Sequence, residues 1–415
     1  MHVLVAPDKF KGSLTAAEVA GHIAAGLRRV AGDGVAIACV PVADGGDGTL
    51  DAAIAAGFGR VPARASGPTG EPVDAAYGRR GELAVVELAS VCGLELLPGG
   101  RREPLRASSY GMGEVIGAAL DAGCERIVLG VGGSASTDGG AGLLQALGAR
   151  VHDRAGAPLP RGGGALREAG SVDLSGLHPA ISHTAFTVAS DVDNPLYGPQ
   201  GAAAVYGPQK GASPADVAAL DEGLRRWATV VTAAGGADRA DEPGAGAAGG
   251  VGYAALAVLK ATLRPGIELV LDLAGFAEKV AAADLVIIGE GSLDGQTLRG
   301  KAPAGVAAAA RAHGKPVVAI AGRVTLPAGA LAGAGIARAY ALSDVEPDLA
   351  RSMAGAGPLL EKLAGRVASD WLTGRRDWSR TRVRDRTRRA QRHPYRRSRR
   401  PAPGCPPGRR PNSRG

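Results

Sequence analysis

The chain has 415 residues with a formal net charge of +8, and only 3 % of its residues are aromatic. Its length predicts two domains, on a prior of about 100–200 residues each, with cores built mainly from Ala, Val, Leu and Ile. Residues 373–415 contain sixteen Arg and two Asp, so the 372 residues before them carry a net charge of −6. That acidic body lacks the basic footprint of a nucleic-acid-binding fold, and no run of about twenty strongly apolar residues predicts a membrane span.

The four cysteines lie far apart and have neither the spacing of a metal site nor that of a redox pair. The apolar run before Asp8 is too short for a signal peptide. These features predict a cytoplasmic protein whose thiols stay reduced.

Short apolar runs alternate with Ala-rich helical patterns along most of the chain, which predicts an α/β fold with parallel strands. The first run, 3–6, leads into a loop over 7–13. Thr15 and Glu18 then form the capping box that marks the start of a helix. The apolar residues at helical spacing that would form its buried face are Val19, Ile23 and Leu27.

Four later apolar runs are followed by Gly-rich loops in the same way. The runs are 36–40, 127–131, 285–288 and 317–320, and their loops are 42–49, 132–140, 289–297 and 321–323. Such loops lie at the carboxyl ends of the strands, where open α/β sheets bind their ligands. Glycine lets the backbone approach a ligand, while Asp, Ser and Lys bring charge and donors, so the loops are predicted to form one site.

The loops contain the groups that phosphoryl transfer needs, namely cations for phosphates and carboxylates for Mg²⁺ or for a hydroxyl proton. The lysines beside glycines are Lys9, Lys11, Lys210 and Lys301. The acids in the loops are Asp8, Asp44, Asp47, Asp138, Asp191, Asp193, Glu290 and Asp294. No Walker motif or protein-kinase signature is present, and no dinucleotide fingerprint follows the first strand, so the residues alone predict only an anion- and metal-binding enzyme.

Seven segments resemble the type-1 glycerate kinase family, in the family's order. They are APDKFKGSL from Ala6, PVADGGDGT from Pro41, GVGGSASTDGGAG from Gly130, SDVDNPLYGPQGAA from Ser190, YGPQKGAS from Tyr206, PGAGAAGGVG from Pro243 and GEGSLDGQTLRGKAPAGVA from Gly289. The resemblance extends over roughly residues 1–370. Lys9 replaces the Ser that is common in the first motif, and Ser292 stands where many members carry Arg.

The resemblance implies two α/β domains with ATP and D-glycerate between them. One domain, a parallel-sheet Rossmann-like or flavodoxin-like unit, would comprise 1–60 and 285–372, and the other would be the insertion 61–284. The reaction implied is transfer of the γ-phosphate of ATP to D-glycerate, giving 2-phosphoglycerate or, in some members, the 3-phosphate. The Arg- and Pro-rich segment 373–415 is expected to be disordered, because it has too few aliphatic residues to form a core.

The loop residues and the resemblance together predict roles for individual residues. Asp191, with Asp44 as the alternative, is expected to orient and deprotonate the hydroxyl, and Lys11 to hold phosphate or carboxylate during catalysis. Glu290 and Asp294 are expected to hold Mg²⁺. The remaining residues expected to contact substrate or phosphate are Asp8, Ser13, Gly45, Gly46, Gly132, Gly133, Ser134, Asp193, Asn194, Gln209, Lys210, Gln296 and Lys301.

Simpler roles compete with these. Asp44 could cap its own turn, and Asp191 and Asp193 could form a solvated acidic turn. Asp47 is more typical of a helix N-cap or a first-turn acid than of a ligand. Two alternative functions also stay open. One is a kinase for a related small hydroxy acid, and the other is a nucleic-acid-associated protein that acts through its basic tail. The partners expected for the folded body are D-glycerate and ATP, without nucleic acid or membrane, and a homo-oligomer is compatible with the sequence.

Overall fold

Two large sheets form the framework of the computed structural model, which describes residues 1–297 and 301–373. The strands are β1 (His2–Pro7), β2 (Ala36–Cys39), β3 (Gly59–Ser66), β4 (Pro72–Arg80), β5 (Leu83–Glu87), β6 (Arg126–Gly130), β7 (Arg150–Asp153), β8 (Ala169–Asp173), β9 (Ala185–Ala189), β10 (Thr262–Arg264), β11 (Leu285–Leu293), β12 (Val317–Val324) and β13 (Ile336–Ala341). Most of the strands predicted from apolar runs are confirmed to within two residues. The exceptions are β11 and β12, which extend four or five residues further than predicted.

The helices lie between these strands and are joined to them by short turns, some of them 3-10 helical. They are α1 (Ala16–Ala31), α2 (Thr49–Ala55), α3 (Ala89–Cys92), α4 (Tyr110–Asp121), α5 (Ala141–Ala146), α6 (Ala202–Tyr206), α7 (Pro214–Ala233), α8 (Ala247–Ala257), α9 (Gly266–Leu273), α10 (Phe276–Ala282), α11 (Ala302–Ala312), α12 (Ala328–Gly333), α13 (Leu349–Ala354) and α14 (Ala356–Trp371). The predicted capping box of Thr15 and Glu18 is confirmed at the start of α1.

The first sheet is wholly parallel and has the order β13-β12-β11-β1-β2. Helices α1 and α14 cover one face, where Val19, Ile23 and Leu27 are fully buried as predicted. Helices α9, α10 and α11 cover the other face. The expectation that the N-terminal strands and the segment after residue 285 share one sheet is therefore confirmed.

The second sheet has the order β10-β9-β6-β5-β4-β3 and is mixed. Its strands β5, β6, β9 and β10 run parallel, whereas β4 pairs antiparallel with both β3 and β5. A separate antiparallel pair, β7 and β8, lies outside both large sheets. The largest apolar core packs one face of the second sheet against helices that include α4, α5 and α7.

Helices α2 and α9 contribute to the cores of both sheets. Ala52 of α2 and Val270 of α9 pack into the core of the first sheet, while Ala53 and Leu269 pack against the second. By internal contacts, residues Met1–Leu372 form one compact unit. The division into domains at residues 60 and 284 stays a prediction, and the predicted disorder of the tail falls on residues 374–415, outside the described residues.

Candidate active site

The loops that follow β2 and β6 and the N-terminus of α9 meet through glycine backbones. A Cβ atom on Gly132 would lie 2.4 Å from the Cα of Gly46, and one on Gly45 would lie 2.8 Å from the Cα of Gly266. Gly45 also has φ near +87°, which favours glycine. The glycines predicted to contact phosphate therefore also make a close contact between loops of the two sheets, which brings Asp44 to their junction.

Four carboxylates lie near that junction, at the carboxyl ends of strands from both sheets. Asp8 follows β1, Asp44 lies in the loop after β2, Asp191 follows β9, and Glu290 is on β11. The charge of Asp44 raises the pKa of both Asp8 and Asp191, and the charge of Glu290 raises that of Asp8. We refer to Asp8, Asp44, Asp191 and Glu290 as the acidic row, because each of these carboxylates lies close enough to another to influence its ionisation.

Asp8 has the most perturbed carboxyl group of this row. Burial is the main cause, the charge of Asp44 adds to it, and together they raise the pKa of Asp8 to about 7. The backbone N–H of Lys9, which donates to Asp8 Oδ1 at 2.7 Å, opposes that rise. A carboxyl group of this kind can exchange a proton near neutral pH.

Asp191 is held at the N-terminus of α9. Its Oδ1 accepts the N–H of Gly266 at 3.0 Å. Burial is the main cause that raises the pKa of Asp191, and Asp44 and Glu268 add to the rise, while the bond from Gly266 opposes it. Among the described residues, nothing donates to Asp191 Oδ2, so that oxygen can accept a proton from a ligand.

Asp44 makes only a weak local bond, in which its Oδ1 accepts the N–H of Gly46 at 3.3 Å. Asp47 does not cap α2 as expected, because the N-cap residue is Gly48. The Asp47 carboxylate instead pairs with Lys9. The N–H groups of Gly48 and Leu50 are bound at 3.1 and 2.8 Å by Oε2 of the buried Glu87, an acid that sequence analysis did not identify.

Glu290 lies at the other end of the acidic row and is 8 % exposed. Its Oε2 accepts the hydroxyl of Thr297 at 2.7 Å, and the ammonium of Lys301 lies 3.6 Å from its Oε1. Burial raises the pKa of Glu290, while Thr297 and Lys301 lower it. Lys301 is also the N-cap residue of α11. The residue expected to hold Mg²⁺, Glu290, thus lies next to Lys301, which was expected to contact substrate or phosphate.

Asp294 forms a turn of its own after β11. Its Oδ1 accepts the backbone N–H of Gln296 at 2.8 Å, and its Oδ2 accepts the hydroxyl of Ser292 at 3.3 Å. The bond from Gln296 is the main cause that holds the pKa of Asp294 below its usual range. The residue Gln296 itself is exposed. The turn thus occupies both oxygens of Asp294 with local donors.

Lys210 is almost fully buried, with 2 % exposure. Its ammonium donates to the hydroxyl of Ser134 at 2.8 Å and to the carbonyl of Ser136 at 2.5 Å. Burial lowers the pKa of Lys210 to about 8. Lys210 and Ser134 were predicted to contact a ligand, and in the structure they bind each other and fix the loop after β6.

Asp138 lies in the same loop and is completely buried. Its Oδ2 accepts the N–H and the hydroxyl of Ser109 at 2.8 and 2.9 Å, and its Oδ1 accepts the N–H of Gly140 at 3.2 Å. Weaker donors to Oδ2 are Ser108 and Gly142. The sequence marked Asp138 as a candidate acid without a role, because only the folded structure brings Ser108 and Ser109 to it.

The remaining predicted site residues are dispersed. The hydroxyl of Ser13 donates to the carbonyl of Met353 at 2.6 Å, and the amide of Asn194 bonds Gln200 and Tyr206 within its own loop. Gly133 is exposed, with φ near +73°. Three predicted residues are exposed and make no side-chain hydrogen bond or ion pair within the described part of the chain: Lys11, Asp193 and Gln209.

A family model described as the glycerate kinase family matches residues 3–372. The chain belongs to the glycerate kinase family. The glycerate kinase of Bacillus subtilis (strain 168) is 44 % identical over 372 residues, which cover 89 % of this chain and 97 % of that protein. The glycerate 2-kinase of Escherichia coli (strain K12) is 46 % identical over 328 residues, which cover 78 % of this chain and 86 % of that protein.

A solved structure agrees with the family assignment. The crystal structure of a candidate glycerate kinase 2 from Salmonella typhimurium LT2 matches with a TM-score of 0.77 at 42 % identity, covering 89 % of this chain and 98 % of that one. The resemblance read from the seven motifs and the α/β fold class are thereby confirmed. Membership of a kinase family implies the use of ATP. Across the described residues, no helix is both long and apolar enough to cross a membrane.

Proposed function

We propose that this chain transfers the γ-phosphate of ATP to D-glycerate and releases ADP and 2-phosphoglycerate. The observation that carries the proposal is the acidic row, which lies where the glycine loops of two sheets meet in a glycerate kinase fold. The name of the Escherichia coli relative, glycerate 2-kinase, supports transfer to the 2-hydroxyl.

Asp191 and Asp44 would act at the acceptor end of the acidic row. Asp191 is anchored through one oxygen by Gly266, which leaves Oδ2 to accept the glycerate hydroxyl proton. Asp44 would orient the same hydroxyl, and its negative charge makes Asp191 more basic. Asp8, whose pKa is raised to about 7, is the second candidate for the base.

Mg²⁺ would be held at the Glu290 end of the row. The described residues contain no group of three or more His, Cys, Asp or Glu arranged around a metal position. Mg²⁺ commonly uses only one or two carboxylates together with phosphate oxygens and water, so Glu290 with Asp8 fits its preference, and Asp294 is the alternative to Asp8. When bound, the ion would neutralise phosphate charge.

The lysines would divide between binding and positioning. Lys301 next to Glu290, and the exposed Lys11, would contact phosphate or the glycerate carboxylate. Lys210 would position Ser134 and the loop after β6 without contacting the ligand, because two of its three N–H groups already bond that loop. Transfer would be direct, since positioning and charge stabilisation supply most of phosphoryl-transfer catalysis.

A coupled assay of ADP release with Mg²⁺-ATP and D-glycerate tests the proposal, and ³¹P NMR identifies the phosphorylated oxygen. The expected result is a glycerate-dependent rate with phosphate on the 2-hydroxyl. Turnover only with a different hydroxy acid would show that D-glycerate is not the substrate. Phosphate on the 3-hydroxyl would show that the product is 3-phosphoglycerate. The absence of turnover with every hydroxy acid tested would refute kinase activity.

The base is tested by Asp191→Asn. We expect kcat to fall by roughly 10²- to 10⁴-fold, the usual contribution of a general base, with little change in the KM for ATP. The control is Asp74→Asn, at an exposed position of β4, which should keep the wild-type rate. Wild-type kcat in Asp191→Asn would refute the assignment of the base to Asp191. A cytoplasmic location and a homo-oligomeric state remain predictions from the sequence.

A further inference from the structure

Arg323 extends the candidate site by one strand. It lies on β12, where Ala321 is in register with Glu290 and Arg323 is in register with Ser292 of β11. The residue is exposed, and within the described residues its guanidinium has neither a hydrogen bond nor an ion pair. An arginine at the ligand-binding end of a parallel strand, with five unused donors, is suited to bind an anion.

The backbone beside Arg323 is free of side chains. A Cβ atom on Gly322 would lie 2.4 Å from the carbonyl oxygen of Gly291, so the two strands are in close contact there. A Cβ on Gly291 would have the backbone N of Lys11 as its nearest neighbour, at 3.6 Å. The two glycines thus let β11, β12 and the loop of Lys11 approach closely on one face of the sheet, while Arg323 projects from the other face together with Glu290.

The strand order shows where Arg323 lies relative to the acidic row. Asp44 lies in the loop after β2, Asp8 follows β1 and Glu290 is on β11, while Arg323 belongs to the next strand, β12. At about 4.8 Å between neighbouring strands, Arg323 is roughly 10 Å along the sheet from Asp8 and lies opposite the acceptor end. A nucleotide whose γ-phosphate faces Asp44 and Asp191 would therefore extend its other phosphates toward Arg323.

We propose that Arg323 binds the phosphate oxygens of the ADP portion of the nucleotide, on the same face of the first sheet as Glu290. The planar fork of arginine can give two parallel N–H···O bonds to a phosphate, which a lysine cannot reproduce. The orientation of the nucleotide rests on the proposed function, but the binding of ADP by Arg323 can be measured without any turnover.

The test is isothermal titration of the full chain with ADP in Mg²⁺ buffer. Arg323→Ala should weaken ADP binding by roughly 10- to 100-fold, the effect of losing a charge-assisted pair of bonds. The ADP affinity of Arg323→Lys should lie between those of Arg323→Ala and the wild type. In the rate assay, neither variant should change the KM for D-glycerate much. The matched control is Arg338→Ala, on the neighbouring strand β13, because Arg338 is exposed and pairs with Asp370 at 2.9 Å.

Wild-type ADP affinity in Arg323→Ala would overturn the proposal, as would an equal loss in Arg338→Ala. If Arg323→Ala does not fold, as judged by circular dichroism, the neutral Arg323→Gln variant takes its place in the same comparison. A wild-type chain that binds ADP but does not phosphorylate glycerate would refute the proposed function, while the variants would still decide the role of Arg323. A wild-type chain that binds no ADP would refute both.

Discussion

The close contact between Gly132 and Gly46 joins loops of the two sheets and leads to a prediction for Gly132→Ala. Replacing Gly132 with Ala would place a methyl carbon 2.4 Å from the Cα of Gly46, where ordinary contacts begin at 3.4 Å. The nearest atoms, in Gly46 and Asp47, all belong to the backbone, so the two loops must move apart by about 1 Å. Overpacking of this kind typically costs about 1–3 kcal/mol of the free energy of unfolding.

The same displacement should reduce the rate. The loop that Gly46 belongs to also carries Asp44, and a misplacement of about 1 Å can lower a rate by about 10²-fold. We therefore expect Gly132→Ala to lower both the urea midpoint of unfolding and the kcat for glycerate-dependent ADP release. Both quantities can be measured on one preparation.

The control is Gly117→Ala in α4, where no atom lies within 4 Å of the new methyl group. That variant should be more stable by up to about 1 kcal/mol, since Ala favours helix over Gly, and its kcat should not change. If Gly132→Ala kept the wild-type midpoint and kcat, the inference that close backbone contact between the loops positions the acidic row would be wrong.

Three further predictions concern buried ionisable groups. Burial raises the pKa of Glu87 from near 4.5 to about 7, so the folded state binds more protons than the unfolded chain in that pH window. This group should lower the free energy of unfolding by about 3 kcal/mol as pH rises through the window, so in urea titrations the fall should be smaller by that amount in Glu87→Gln than in the wild type, in which Asp8 also contributes. Burial lowers the pKa of Lys210 from 10.5 to about 8, so the folded state binds fewer protons between those values. Between those pH values the free energy of unfolding should therefore have a more positive slope against pH in the wild type than in Lys210→Met, and equal slopes would contradict the prediction. Asp138→Asn should lower the free energy of unfolding in urea by about 1–3 kcal/mol, because an amide nitrogen would face a buried N–H of Gly140 or Ser109. A free energy of unfolding equal to that of the wild type would show that the loop rearranges to avoid this contact.

Local patterns predicted the elements well. The capping box of Thr15 and Glu18 and the buried stripe after it are confirmed because both depend on residues three or four positions apart. The end of β1 before Asp8 was also recognisable, since an apolar run followed by Pro and Asp has a local cause, whereas β11 runs on past Glu290, beyond its predicted end. The seven ordered motifs identified the family for the same reason: each is a short contiguous segment.

Contacts distant in sequence were decided only by the tertiary structure. The sequence alone determined the α/β class, the family and the pool of acids and lysines. It could not show that Asp191 binds the N–H of Gly266, that Glu87 caps α2, or that Lys210 is buried against Ser134 and Ser136. These partners lie 37 to 76 positions apart, and burial, which sets their pKa values, exists only once two sheets and their shared helices have packed together.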